Sequence, residues 1–156
     1  MLVGSPRASA RAVLAVMLVA VLVPALACQR PSHPEASAPA LRRGVAGADW
    51  ELIELAGQPA PTGAGGRRAT IRFEPDEARA GGFSGCNQYG GSYTVDGDAL
   101  RFGALAMTKM ACDQGMELER GLAGALEATV RYDVSGDRLT LYDASRPVAR
   151  FARVTP

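Results

Sequence analysis

Histidine is nearly absent from this chain. His33 is the only one in 156 residues, and cysteine occurs three times, at Cys28, Cys86 and Cys112. Tetrahedral zinc sites draw on several Cys and His, and the Ser-His-Asp and Cys-His nucleophiles need an imidazole beside them. One His removes most of these chemistries. Excess charge is also lacking: 17 Lys+Arg face 16 Asp+Glu, for a net charge of +1. That argues against a strongly basic nucleic-acid binder and against an acidic disordered chain. Long apolar runs are scarce. The uncharged stretch Ala12–Ala27 has 16 residues. As a helix it spans about 24 Å, short of the ~30 Å hydrocarbon core. The Lys-Ser/Thr of a phosphate-binding P-loop is missing as well.

What is present begins with an address. Arg7 and Arg11 precede the apolar run, Pro24 breaks its end, and Ala25-Leu26-Ala27 supplies small residues around a cleavage point. Residues 1–27 read as a secretory signal peptide, with an uncleaved membrane helix as the alternative. Cys28 then stands at the first mature position. This resembles the lipobox of bacterial lipoproteins, in which that Cys is acylated; Ala25, Leu26 and Pro24 depart from the usual pattern. The rival is plain cleavage that leaves a free thiol. An unpaired thiol is a liability in an oxidising compartment, and acyl chains would anchor the protein stably. Gln29 rather than Asp follows, which by the same resemblance implies the outer membrane. Residues 28–48 hold Pro31, Pro34 and Pro39 among Ser, Ala and Gly. They read as a lipidated Cys followed by a tether, with His33 a solvated tether residue. The domain proper is taken as residues 49–156, where 12 bases face 15 acids for a net −3. No nucleic-acid face is expected there.

Within the domain, periodicity of two dominates. Ala69, Ile71 and Phe73 alternate with polar residues, and Trp50 and Leu52 mark an earlier strand. Tyr93 and Val95 lead into Asp96-Gly97, a strong hairpin signal, and Leu100 and Phe102 lead out. Val130, Tyr132 and Val134 turn at Ser135-Gly136-Asp137 into Leu139 and Leu141, and Val148–Val154 forms a last strand with Phe151 inward. One window has the helical period: Leu118, Leu122, Ala125 and Leu126 within Gln114–Thr129, with Asp113 as N-cap. The expectation is α+β: a curved antiparallel sheet, or partly open barrel, packed on one helix.

Gly81, Gly82, Gly85, Gly90 and Gly91 crowd one stretch. Glycine serves where φ is positive or backbones approach closely, so this stretch predicts a sharply bent strand pair. Cys86 and Cys112 are the only cysteines of the exported domain, and a disulfide is the default for such a pair. A metal site completed by carboxylates and a redox-active pair are the rivals; the redox pair lacks the Cys-x-x-Cys spacing.

The segment Phe83-Ser84-Gly85-Cys86-Asn87-Gln88-Tyr89-Gly90-Gly91-Ser92-Tyr93 resembles the GCN-x-[FY]-x-G-x-[FY] motif of the META domain family. Thr108-Lys109-Met110-Ala111-Cys112 resembles that family's T-[RK]-M-x-C segment, with Lys109 where Arg is commoner. Trp50-Glu51-Leu52 matches the family's opening and Glu119 its helical glutamate. The resemblance covers about residues 49–153 and, with the N-terminal signal and Cys, implies an HslJ-like envelope lipoprotein. Its implied role is stress- or envelope-related, with drug tolerance and secretion-linked functions suggested for relatives. Gly85, Asn87, Tyr89, Gly91, Thr108, Lys109, Met110 and Glu119 are the candidate recognition residues. Thr108 and Asn87 are placed to bond backbone groups left open by the bends. Lys109 either pairs with Glu119 or stands exposed. Met107, Met110 and Met116 form an apolar cluster, either core filling or a pliable binding surface. No catalytic residue, metal or cofactor is expected. The expected partners are the membrane, through the lipid anchor, and another envelope component. The alternative is an apolar, lipid-like ligand held in the curved sheet; a hydrolase or an inhibitor of one ranks below both.

Overall fold

The computed structural model describes Met1 and residues 45–155. The signal, Cys28, His33 and the tether up to residue 44 lie outside the described residues. All elements below belong to one unit, Pro34–Pro156.

The alternating apolar segments form strands. In chain order these are β1 (Asp49–Leu55), β2 (Gln58–Pro59), β3 (Thr70–Glu74), β4 (Arg79–Phe83), β5 (Gln88–Asp96), β6 (Ala99–Phe102) and β7 (Ala106–Met107). Helix α1 (Met116–Ala128) follows, then β8 (Arg131–Ser135), β9 (Arg138–Tyr142) and β10 (Pro147–Arg153). The expected hairpins sit at their turn residues, with Gly97 at φ 60° and Gly136 at φ 59°.

The fold class differs from the α+β expectation. The protein is mostly β, an eight-stranded closed antiparallel barrel with one helix. Its ring runs β1-β3-β4-β5-β6-β8-β9-β10 and returns to β1, while β2 and β7 attach outside that circuit. Closure is made by the first and last long strands, which pair from Trp50 opposite Arg153 to Leu55 opposite Ala149. A register shift between Leu52 and Glu54 marks a bulge in β1, which adds the bend a ring needs. A partly open sheet would leave two edges of unpaired backbone; joining β1 to β10 removes both.

The barrel interior is filled by side chains. Trp50, Phe73, Tyr132, Phe151, Leu100, Leu139 and Leu141 are each 0% exposed. Phe73 stacks edge-on against Tyr93 with centroids 5.5 Å apart. Trp50 Nε1 donates to the Val45 carbonyl at 3.1 Å. Val45 is therefore part of the core, although it falls in the stretch read as tether. Helix α1 adds Leu118, Leu122, Ala125 and Leu126 to the buried set, and it packs against β1, β6, β9 and β10. Its N-cap is Gly115 at φ 93°, not Asp113.

Candidate functional site

The two sequence segments singled out above meet in space. Cys86 and Cys112 form a disulfide with Cα atoms 5.9 Å apart. It joins the loop between β4 and β5 to the approach to α1. Closing a loop over a sequence separation of 26 is worth about 3.5 kcal/mol by the loop-entropy relation.

Three glycines allow that junction. Gly85 lies at φ 120°, and a Cβ on Gly63 or on Gly115 would sit 2.1 Å from the Gly85 carbonyl oxygen. No side chain fits either place. The Gly85 carbonyl instead accepts the Ala64 N–H at 2.7 Å.

Beside the disulfide, Glu119 and Asn87 tie the helix to the bend. Ser84 Oγ donates to Glu119 Oε2 at 2.6 Å. The Asn87 N–H donates to the same oxygen at 2.9 Å, and Asn87 Nδ2 donates to Glu119 Oε1 at 3.1 Å. Burial opposes ionisation of Glu119 and is the largest single influence. The donors on Ser84 and Asn87, with Arg120 nearby, outweigh it and hold the carboxyl below its ordinary value.

Asn87 spends its other side on the segment before the helix. Its Oδ1 accepts the Thr108 hydroxyl at 2.8 Å and the Met110 N–H at 2.7 Å. Its Nδ2 also donates to the Met110 carbonyl at 3.2 Å. One side-chain amide thus holds both backbone groups of Met110. Thr108 Oγ1 in turn accepts the Gln88 N–H at 3.2 Å. These are backbone groups that a bend leaves without ladder partners, satisfied by side chains.

Tyr89 of β5 is buried in the core beside this region. Its hydroxyl donates to the Thr70 carbonyl at 2.9 Å, and burial pushes its phenol well above the ordinary range. Gly91 is where the chain beyond β6 crosses β5: a Cβ there would come within 2.9 Å of the Ala104 carbonyl. Lys109 is exposed and has no ion pair with Glu119, whose oxygens are taken by Ser84 and Asn87. Ser84, Gly63 and Thr70 complete the region but were not among the predicted site residues. Ser84 stands directly before Gly85 in the first motif, which is the one signal that marked it.

Outside this knot lies an open groove of about 540 Å³. Leu105, Met107, Met110 and Met116 line it together with Lys109, and it reaches Asn87 and Glu119. Met110 is 56% exposed, unusual for a large apolar residue. Lys109 is the only lysine among the 156 residues. Among the described residues, no three His, Cys, Asp or Glu side chains are placed to share a metal ion.

Residues 43–155 match the META domain family, most of the chain. The chain belongs to the META domain family. Its fold is shared with a protein from Burkholderia xenovorans solved by NMR, at 28% identity and a TM-score of 0.60. That similarity covers 72% of this chain and 85% of the other. A second protein solved by NMR is similar at 24% identity and a TM-score of 0.53, covering 67% of this chain and 87% of its own. No curated protein matches the chain. The META domain therefore carries the disulfide, the Asn87–Glu119 knot and the methionine groove as one junction between barrel and helix.

Proposed function

We propose that this META domain is a non-catalytic interaction module of the bacterial cell envelope, with a stress- or envelope-related role. It is exported by its N-terminal signal, anchored through an acylated Cys28, and presents the methionine groove to another envelope component. One observation carries the reading. The barrel interior is occupied by Trp50, Phe73, Tyr132 and Phe151, each 0% exposed. An apolar-ligand carrier would need a void where these side chains sit. The apolar surface left for recognition is on the outside, in the groove. Flexible thioethers suit a surface that must adapt to a partner, and the disulfide and Asn87 hold the backbone beneath them. The polar side chains gathered there spend their hydrogen bonds on the backbone and on one another.

The single lysine provides the test. If Cys28 is acylated on its amine, Lys109 is the only primary amine of the mature protein. Cells are treated with an amine-to-amine crosslinker, and the protein is recovered and weighed. The expected result is an acylated Cys28 and one discrete adduct through Lys109. That adduct disappears in Lys109→Arg and in Met107→Asp/Met110→Asp, which keeps the lysine. An adduct indifferent to the groove substitutions would refute the interaction role. An unmodified N-terminal Cys28 would remove the anchor.

A further inference from the structure

The chain has five methionines; Met1 and Met17 precede the domain. The other three, Met107, Met110 and Met116, all line the same groove. They arrive from three separately held pieces of backbone. Met107 ends β7, paired with Tyr89 of β5. Met110 has its N–H and carbonyl both held by Asn87. Met116 is the first residue of α1, four residues beyond the bridged Cys112. None of the three is sealed in the core: Met110 is exposed, Met116 half-buried, and Met107 half-buried with part of its side chain packed against the core.

We propose that these three thioethers bind one soft monovalent cation, copper(I), for which silver(I) is the laboratory analogue. Thioether sulfur is a soft donor and selects such ions over hard ones such as magnesium or calcium. The folded domain offers no softer competitor, because Cys86 and Cys112 are consumed in the disulfide. It offers no imidazole either, since His33 lies before residue 45. Lys109 and Glu119 both line the groove, so their charges largely offset. Binding is a ligand exchange: the ion leaves its carrier ligand and accepts three sulfur lone pairs, with no electron transferred. Thioethers carry no proton, so none is released. Sites built from Cys or His release protons on binding and weaken as pH falls; this one keeps its affinity from pH 5 to pH 8.

The test uses the intact protein with its disulfide formed. It is titrated with silver nitrate, and separately with copper(I) in ascorbate against bicinchoninate, without thiols. Native mass spectrometry counts the ions, and the methionine methyl signals report which sulfurs respond. The expected result is one ion per chain, three shifted methyl signals and an affinity flat with pH. Each Met→Leu substitution weakens binding at least tenfold, and the triple Leu variant loses it while keeping the melting temperature. The titration uses purified protein with no partner present, so it reads metal binding by itself. Failure here is thereby separated from failure of the interaction role. Equal binding by wild type and triple Leu variant would overturn the proposal, as would an affinity that falls with protonation.

Discussion

Replacing Glu119 isolates the central junction. Its carboxylate accepts three hydrogen bonds, from Ser84 Oγ and from Asn87 N and Nδ2, with Ser84 0% and Asn87 2% exposed. In Glu119→Ala the Ser84 hydroxyl can turn to the Asn87 carbonyl, already 2.8 Å away. The two Asn87 donors lose an acceptor. At about 1–3 kcal/mol for each buried donor left unsatisfied, the expected loss is about 3 kcal/mol. In Glu119→Gln the shape is kept, but the amide sets one N–H against Asn87 Nδ2 and removes the charge, so about 2 kcal/mol is expected. At roughly 4 °C per kcal/mol for a domain of this size, the melting temperature falls by about 12 °C and 8 °C respectively. The pH dependence has a definite sign. The folded-state carboxyl lies below its ordinary value of 4.5. Its contribution is complete above that value and is lost as pH falls through the lower folded one. Urea unfolding at pH 7 and down to pH 3, with the disulfide intact, measures both effects. The wild type should lose stability on the acid side more steeply than Glu119→Gln. A Gln variant within about 0.5 kcal/mol of wild type at pH 7, the scatter of neutral surface changes, would refute the reasoning. So would an unchanged acid limb.

Two further outcomes follow from the same geometry. Reducing the Cys86–Cys112 bridge, or replacing both residues with Ser, should lower stability by about 3.5 kcal/mol in urea unfolding; an unchanged midpoint would show that the junction holds without it. Gly124 in the helix and Gly115 at the junction should respond oppositely. Gly124 has open space at its Cβ position, so Gly124→Ala should raise stability by up to about 1 kcal/mol. Gly115→Ala should destabilise well beyond that, because its Cβ would lie 2.1 Å from the Gly85 carbonyl and its φ is 93°. Thermal melts of the two variants check the pair; a shift of the same sign in both would contradict the close approach.

Local pattern was enough for most strands. The alternation at Ile71 and Phe73, at Tyr93 and Val95, and at Tyr132 reappears as inward-facing, buried positions, with Val134 half-buried against the same core. A side-chain period of two is a property of the chain itself, and so is the positive φ demanded at Gly97 and Gly136. The pairing of Cys86 with Cys112 was also legible, because two cysteines allow one connection. The helix start was not. Asp113 has the chemistry of a cap, but the close approach to Gly85 sets the first turn at Gly115, and that approach joins parts of the chain distant in sequence.

By itself the sequence determined most of the long strands, the helix, and which residues stand in the two motifs, but not the two-residue strands β2 and β7. Only the tertiary structure decided that the sheet closes, because closure depends on β1 meeting β10 about 100 residues later and no local period encodes the partner of an edge. It likewise turned Asn87 and Glu119 from motif letters into a brace, and three scattered methionines into one surface. Those roles depend on distance in space, which a linear pattern does not carry.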